Sequence, residues 1–262
     1  AWVGQMSADG LALATIEGLV RLFTSIMVAA VSDRLIARSP VAGVRLPRAE
    51  KSHHSLVPLT AEDVHAIADR VAGRFRALVL TAAGLGLRQG EACGLTVDRV
   101  DFLRRTVRID RQLVWANGAA TFGPPKTPAS VRTLPLADEV GAELASHLQQ
   151  YPTKNEAGLI FSLKTARPLS RQRVSEMMRA ARRPKETFTF HDLRHFTASA
   201  LIASGCSVKA VQAFLGHATA SETLDTYGHL WPSDDDAIRV AIGRVLSPAE
   251  SWLSHEDIET AH

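Results

Sequence analysis

Apolar residues recur at three- and four-residue steps along much of the chain, which is the pattern of helices that bury one face. The first such stretch covers residues 11–37, and its apolar stripe is wide enough to pack against several neighbouring helices. It ends at Ser39-Pro40, because proline disfavours the helical conformation of the residue before it. Residues 41–56 contain glycine, proline and mixed charges, a composition typical of an extended linker.

Further helices are predicted where this periodicity meets capping residues and helix breakers. Thr60 opens one of them, and Gly84 and Gly86 break another. The predicted helices cover about residues 60–71, 75–83, 89–95, 138–150, 170–182, 191–204, 207–215, 220–227 and 234–246.

Three segments between these helices follow the period-two pattern of strands instead. They cover residues 106–109, 112–115 and 131–136, and a turn signal, Asn117-Gly118, follows the second. We therefore predict a mainly α fold with a small three-stranded antiparallel β-sheet, which belongs to the α+β class.

Composition places the chain among ordinary globular proteins, with 46% apolar and 22% charged residues. Two cysteines, Cys93 and Cys206, cannot form a disulfide framework and lack the spacing of metal ligands. The apolar run over residues 19–31 is interrupted by Arg21 and polar residues, and no signal peptide is apparent. We expect a cytoplasmic protein with no membrane partner.

The net charge is only +3, but the arginines are clustered and the isoelectric point is about 9.1. One cluster contains Arg104, Arg105, Arg108 and Arg111. The other contains Arg167, Arg171, Arg173, Arg179, Arg182, Arg183 and Lys185. Either cluster alone is typical of a solvated basic face. The two together favour a nucleic-acid partner if the chain also carries chemistry for phosphate.

Such chemistry lies towards the C-terminus, in His191-Asp192-Leu193-Arg194-His195, Leu215-Gly216-His217 and Tyr227. Arginine presents a rigid fork of donors to a phosphate, and histidine donates hydrogen bonds or moves protons near neutral pH. Tyrosine can act as a covalent nucleophile once a cationic site or a base assists it. Together these groups suit a phosphodiester attacked by a tyrosine. Taken singly, His217 could cap a helix and Tyr227 could belong to the core.

A zinc site is the alternative use of two helical histidines. It would need a carboxylate base between them, as in His-Glu-x-x-His, and a cation beside zinc is unfavourable. Here Arg194 lies between His191 and His195, so we predict no metal site. His191 and Arg194 share one helical face, whereas His195 is displaced by one step and is assigned a mainly structural role.

Two earlier segments could complete a phosphate site. Glycines around Arg88 present it at a helix start, where Glu91 could hold the guanidinium or cap the helix. Lys126 lies in a Pro-Pro-Lys-Thr segment between the second and third predicted strands. The simpler alternatives are a surface arginine at a helix entry and a flexible basic turn.

In chain order, six residues resemble the catalytic set of the tyrosine recombinase (phage integrase) family: Arg88, Lys126, His191, Arg194, His217 and Tyr227. The motifs that carry the resemblance are Gly-Leu-Arg-Gln-Gly-Glu, Pro-Lys-Thr, His-Asp-Leu-Arg-His, Leu-Gly-His and Thr-Tyr-Gly-His. Five motifs in the family order are far more specific than any one alone. The resemblance covers about residues 57–246.

The resemblance implies DNA strand cleavage and rejoining without metal, ATP or another cofactor. Arg88 and Arg194 would clamp the scissile phosphate, His217 would donate to a non-bridging oxygen, and Glu91 resembles a supporting acidic residue. The partner would be a double-stranded DNA recombination site.

The resemblance also implies how the protons move. Tyr227 would attack the phosphorus, His191 would assist proton movement at this nucleophile, and Lys126 would protonate the departing 5′ oxygen. We expect Lys126 to contact DNA as well, together with Arg171 and Arg173 of the second arginine cluster.

By the same resemblance the chain has four parts. Residues 1–40 would end in the last helix of a truncated core-binding domain, and residues 41–56 would form a linker. Residues 57–233 would be the catalytic domain. Residues 234–262 would hold a helix that docks onto a neighbouring protomer, so that the protein forms a tetramer on DNA. We expect the chain to be the tail end of a longer protein and to bind DNA weakly alone.

Two other functions remain open on the sequence. A type IB topoisomerase-like enzyme would use the same tyrosine chemistry to relax DNA without exchanging strands. A non-catalytic DNA-binding protein could retain the fold, although the intact Tyr227 and both arginines argue against this.

Overall fold

The computed structural model describes residues 2–44, 58–231, 239–240 and 242–243. The chain divides into two compact units, Ala1–Val57 and Pro58–His262. The residues predicted to form the last helix, 234–246, lie largely outside the described part of the chain, as does most of the predicted linker.

The first unit contains two helices, α1 (Trp2–Ala8) and α2 (Leu13–Ser32). Met6 of α1 is buried together with Ile16 and Val20 of α2. This small apolar contact and an edge-on contact between the rings of Trp2 and Phe23, 5.4 Å apart, hold the two helices against each other.

Helix α2 is shorter than the predicted helix over residues 11–37, since the chain turns after Ser32 and Arg34 adopts a φ of 61°. Thr15–Ser32, with a mean hydropathy of 1.5, is long and apolar enough to cross a membrane, judged by length and composition only. A mostly buried core helix and a signal sequence pass the same test, so one such helix, 11% buried here and near the N-terminus, is weak evidence. The absence of a membrane partner therefore stays a prediction.

The helices of the second unit lie within two residues of their predicted bounds. They are α3 (Ala61–Arg70), α4 (Arg76–Leu85), α5 (Gln89–Cys93), α6 (Asp138–Gln150), α7 (Arg171–Ala180), α8 (Asp192–Ala203), α9 (Val208–Leu215) and α10 (Ala220–Tyr227). Thr60 caps α3 as predicted, since its side chain accepts from the backbone N–H of Asp63 and the Asp63 carboxylate accepts in return.

Five short strands lie between α5 and α6: β1 (Val100–Asp101), β2 (Thr106–Ile109), β3 (Gln112–Ala116), β4 (Ala119–Gly123) and β5 (Arg132–Pro135). A three-stranded antiparallel sheet has the order β1-β2-β5, with Val107 opposite Leu134. Strand β3 was predicted to belong to this sheet, but it pairs with β4 in a separate hairpin. The turn of this hairpin, Asn117-Gly118, has positive φ at both residues (50° and 77°), the geometry that favours two-residue connections.

The main core brings α3, α4, α5 and α7 together with both sheets. Helix α4 lies at its centre and runs through Gly84, which was predicted to break it. A Cβ at Gly84 would lie 2.4 Å from Cγ2 of Val140, so glycine here allows α4 to approach α6 closely. Gly86 ends the helix instead, with a φ of 59°.

Candidate active site

Arg88 stands at the start of α5, directly after the turn at Gly86. Its guanidinium donates to the Ser130 hydroxyl at 3.0 Å and to the Gly216 carbonyl at 3.3 Å. Ser130 follows the β3–β4 hairpin and Gly216 follows α9, so Arg88 lies where three separate segments of the chain meet.

Glu91 is a buried carboxylate that joins Arg88 to a second arginine, Arg132 of β5. Its Oε1 accepts from Arg88 Nη1 at 3.1 Å, and its Oε2 accepts from Arg132 Nη2 at 3.0 Å. Burial alone raises the pKa of Glu91, but the charge and hydrogen bond of Arg132, followed by those of Arg88, outweigh it and hold the pKa below its ordinary value. Glu91 is therefore an ionised anchor between two guanidinium groups.

We expect Glu91→Gln to lower the free energy of unfolding by roughly 3 kcal/mol at neutral pH, because it removes the counter-charge of two partly buried arginines. The folded-state pKa of Glu91 lies below its ordinary value near 4.5. The difference between variant and wild type should thus be complete above that pH and shrink as pH falls through the folded-state pKa.

Denaturant unfolding of the two proteins at a series of pH values measures this difference. Glu186→Gln is the matched control, because Glu186 pairs with Arg70 at 3.1 Å but is more exposed. Equal destabilisation by the two substitutions would contradict the role given to Glu91.

Arg194 lies in the first turn of α8 and is only 1% exposed. It donates from Nη1 to the Gly86 carbonyl and from Nη2 to the Leu215 carbonyl, each at 2.6 Å. The guanidinium therefore joins the turn before Arg88 to the end of α9. Burial, and then the charge of Arg88, lowers the pKa of Arg194 to about 9, which leaves it charged at neutral pH. An anion between these two cations would be strongly favoured.

Helix α9 ends at Gly216, which has a left-handed φ of 68°. A Cβ here would lie 2.9 Å from the Cα of Ser130, so only glycine fits this turn without displacement. The turn buries His217, whose Nδ1 lies 2.8 Å from the hydroxyl of Thr223. Burial, followed by the charge of Arg194, lowers the pKa of His217 to about 4, so the imidazole is neutral at neutral pH.

One carboxylate oxygen reveals where the donors of Arg88 and His217 point. Oε1 of Glu222 lies 3.9 Å from Nη2 of Arg88 and 3.7 Å from Nε2 of His217. Both nitrogens therefore lie within 4 Å of a single anionic oxygen, just beyond hydrogen-bond distance. A phosphate oxygen accepts the same donors, so this pair can bind one.

Tyr227 is the last residue of α10 and is 3% exposed. Its hydroxyl lies 2.7 Å from Nδ1 of His195, and burial raises the pKa of Tyr227 to about 12 although the charge of Arg194 opposes the rise. The sequence predicted a mainly structural role for His195, and the resemblance implied that His191 assists at the nucleophile. In the structure His195 contacts Tyr227 directly, and the ring of His191 lies edge-on to that of His195 with 4.7 Å between centroids.

An open cleft of about 660 Å³ is lined by predicted site residues that lie far apart in the sequence. Arg88, Lys126, Arg171 and His191 all line it. Lys126 is exposed on the segment between β4 and β5, so its ammonium can reach an anion held in the cleft. Part of the wall is apolar, and Trp115 of this wall donates from its indole N–H to the Leu169 carbonyl at 3.2 Å, which joins the hairpin to the segment before α7.

Arg173, the other predicted DNA contact, does not line this cleft. It lines a neighbouring hollow together with Trp115, and its guanidinium lies 3.4 Å from the Glu176 carboxylate.

Arg132 and Ser130 were missed in the sequence. Arg132 also donates from Nε to the Phe214 carbonyl at 2.8 Å, and Ser130 donates to the Gly216 carbonyl at 3.2 Å. The available signal was weak: an arginine and a serine at or beside a predicted strand are usually solvent-facing.

Asp192, which the zinc alternative would need as a base, accepts from the backbone N–H and the hydroxyl of Thr189, both at 2.6 Å. Across the described ranges, no group of three or more His, Cys, Asp or Glu side chains is arranged to hold a metal ion.

Residues 58–233 match the sequence profile of the Phage integrase family. The chain belongs to the phage integrase family. This confirms the family predicted from the motifs. Among similar curated proteins, a "Tyrosine recombinase XerC-like" protein of Caldanaerobacter subterraneus subsp. tengcongensis is 25% identical, over 88% of this chain and 66% of that protein. A "Putative prophage phiRv2 integrase" of Mycobacterium tuberculosis is 26% identical, over 87% and 62%. The chain thus spans just under two thirds of the length of these relatives.

Solved integrase structures share the fold. The Tn1549 transposon integrase in complex with a circular intermediate DNA superimposes with a TM-score of 0.75 at 22% identity, over 93% of this chain and 83% of that one. A lambda integrase dimer bound to a COC′ core site gives a TM-score of 0.61 at 19% identity, over 88% and 64%. These likenesses confirm the predicted fold class, mainly helical with small antiparallel sheets.

Proposed function

We propose that this chain cleaves and rejoins DNA strands at specific sites, by attack of Tyr227 on a phosphodiester. The observation that carries the proposal is that Arg88 and His217 both lie within 4 Å of one anionic oxygen. The charge of Arg194 acts on both of these residues and on the hydroxyl of Tyr227, so it lies in the same site. Membership of the phage integrase family supports site-specific recombination, and hence integration of a phage or another mobile element, as the outcome. The reaction would take place on DNA in the bacterial cytoplasm.

The phosphate is held by cations and neutral donors. Arg88 and Arg194 clamp its non-bridging oxygens and stabilise the added charge of the pentavalent transition state, a contribution of roughly 3–4 kcal/mol for each donor. His217, neutral at pH 7, donates from Nε2 while the Thr223 hydroxyl holds Nδ1. Glu222, about half exposed, moves aside to admit the phosphate.

The covalent step forms a bond between Tyr227 Oη and phosphorus and breaks the bond from phosphorus to the 5′ oxygen. Lys126 protonates that oxygen, leaving a 3′-phosphotyrosyl link and a free 5′-hydroxyl. The proton of Tyr227 leaves Oη for a neighbouring histidine as the new bond forms, and His191, which lines the same cleft, assists this proton movement. A second strand's 5′-hydroxyl reverses the step. The adduct retains the bond energy, so the reaction needs neither ATP nor a metal.

Double-stranded DNA is the proposed partner. Lys126 and Arg171 line the cleft, and Arg173 lies beyond it on the first turn of α7. All three side chains are exposed, so they can neutralise backbone phosphates on either side of the cleavage point.

The test is a covalent-capture experiment with nicked duplexes whose sequence upstream of the nick is randomised. Loss of the short oligonucleotide beyond the nick prevents religation and traps the adduct. We expect a denaturation-resistant complex, a nucleotide mass on the peptide that contains Tyr227, and convergence of the captured DNA on one sequence. Absence of an adduct, or an adduct on another residue, would contradict the proposal. Captured DNA of unselected sequence would favour the topoisomerase-like alternative.

We further propose that residues 234–262 mediate self-association on DNA, up to a tetramer. The sequence of segment 234–246 begins with three aspartates and has apolar residues at helical spacing, and the side chains of Val240 and Ile242 are 54% and 53% exposed. Two exposed aliphatic side chains on one short segment favour docking onto a second copy. Measuring the size of the protein with and without the captured DNA site tests this proposal. A monomer on a complete site would contradict it.

A further inference from the structure

The hydroxyl of Tyr227, the proposed nucleophile, makes a short hydrogen bond with His195. Tyr227 ends α10, and His195 lies one helical turn after His191 on α8. Nδ1 of His195 is 2.7 Å from the hydroxyl oxygen, and the two rings meet at 63°. Both residues are at least half-buried, so water competes poorly for this hydrogen bond.

The direction of the hydrogen bond follows from the protonation states of the two groups. Burial raises the pKa of Tyr227 to about 12, so the phenol keeps its proton at neutral pH. Burial, with the charge of Arg194, lowers the pKa of His195, although Asp192 opposes the change. Neutral imidazole has one nitrogen with a proton and one without. The phenol therefore donates to Nδ1, and the proton of His195 is on Nε2.

From this geometry we infer that His195 is the general base that removes the proton of Tyr227 during DNA cleavage. The inference rests on the proposed function. Oη forms its bond to phosphorus, its proton moves to Nδ1 of His195, and the bond from phosphorus to the 5′ oxygen breaks with a proton supplied by Lys126. In religation His195 returns the proton to Oη as the tyrosine leaves.

The proton moves with bond formation and not before it. A neutral phenol in a buried site is far less acidic than imidazolium, so prior ionisation of Tyr227 is disfavoured. As Oη bonds to phosphorus it takes on the character of an aryl ester oxygen and loses its basicity, and the proton transfer becomes favourable. The hydrogen bond in the structure already holds the acceptor in line for this transfer.

His191 is the rival for this role, and its position argues for a different one. Its side chain lines the cleft with Arg88 and Lys126, whereas its ring contacts His195 edge-on. A proton from Tyr227 therefore reaches His195 first. His191 is left to act on the phosphate or on the Nε2 side of His195.

The kinetic test compares His195→Asn with His195→Phe in single-turnover cleavage of the captured nicked duplex. Asparagine offers an acceptor near the position of Nδ1 but cannot take a proton, whereas phenylalanine offers neither. We expect both to cleave roughly 10²–10⁴-fold more slowly than wild type, with unchanged DNA affinity. The matched control is His65→Asn, because His65 is an exposed histidine on α3 outside the motifs, and it should cleave at the wild-type rate.

Two further readouts separate a base from a residue that only holds the tyrosine. A duplex with sulfur in place of the bridging 5′ oxygen has a leaving group that needs no acid, so it should restore Lys126→Ala but not His195→Asn. The rate ratio of wild type to His195→Asn should also fall as pH decreases through the pKa of His195, because the protonated imidazole cannot accept. The charged or titratable groups that face His195 are those of Asp192, Arg194, His191 and Tyr227. All four are the same in wild type and in His195→Asn.

The protonation state of His195 can also be measured in the protein without DNA. Nitrogen NMR of histidine-labelled protein should show His195 with its proton on Nε2, and Tyr227→Phe should shift the Nδ1 signal. A proton on Nδ1, or His195→Asn cleaving as fast as wild type while the adduct still forms on Tyr227, overturns the role of His195 and leaves the proposed function intact. Faster cleavage by either variant would mean that the contact restrains Tyr227, which also overturns the role of a base. Failure of the wild type to form any adduct overturns both.

Discussion

Tyr227→Phe should abolish covalent attachment of the protein to DNA while leaving the fold and DNA binding intact. The substitution removes one oxygen, and that oxygen is the proposed nucleophile. Removal of the covalent nucleophile of a serine protease costs roughly 10⁶-fold in kcat, and a loss of this size would place the residual reaction below detection. Because Oη is hydrogen-bonded to His195 in a buried site, the variant should also lose about 1 kcal/mol of stability.

The chain provides a matched control, since it contains only two tyrosines. Tyr151→Phe removes the same atom from a residue that follows α6, where the guanidinium of Arg74 lies 4.6 Å from the ring. This variant should form the adduct at the wild-type rate. Gel electrophoresis under denaturing conditions measures the adduct, and a gel shift measures binding. An adduct that persists in Tyr227→Phe would show that another residue attacks DNA.

Arg194→Lys should reduce cleavage roughly 10²–10³-fold, although it conserves the charge. The guanidinium has a planar fork that donates to the Gly86 and Leu215 carbonyls, and a lysine ammonium cannot satisfy both carbonyls from one point. Arg194→Ala should be more severe, roughly 10³–10⁵-fold. Total DNA affinity should change little, because many exposed cations share that binding.

The same substitutions should also affect stability, since a buried carbonyl without a donor costs roughly 1–3 kcal/mol. Arg182→Lys is the control, because Arg182 likewise donates to a backbone carbonyl, that of Phe188 at 2.8 Å. It should lose stability in thermal unfolding but retain cleavage. A full cleavage rate in Arg194→Lys would mean that the charge alone is sufficient and that the fork has no role at the phosphate.

The helices were predictable because their information is local. Thr60, the predicted start of α3, forms a capping box with Asp63, and the stripes of α6 and α9 repeat within single segments. A chemical motif such as His-Asp-Leu-Arg-His is also local, so the amino-acid sequence is sufficient to name the candidate phosphate-binding side chains.

Strand pairing and helix continuity at glycine were less predictable, since they depend on partners distant in sequence. The alternation of β3 is satisfied equally by the sheet of β2 and by the hairpin with β4, and the positive φ values of Asn117 and Gly118 favour the hairpin. Gly84 looks like a helix breaker in the sequence, yet the close approach of Val140 is what requires it.

By itself, the sequence determined the class of fold, the family and the kinds of side chain available for phosphate chemistry. Each of these depends on short local motifs and on their order along the chain. The tertiary structure alone decided which histidine contacts Tyr227, that Glu91 lies between Arg88 and Arg132, and that Arg88 and His217 lie near one oxygen. The physical reason is the short distance range over which a hydrogen bond acts. A hydrogen bond is made or lost over less than about 1 Å, and here its two partners come from helices and turns that meet only when the core packs.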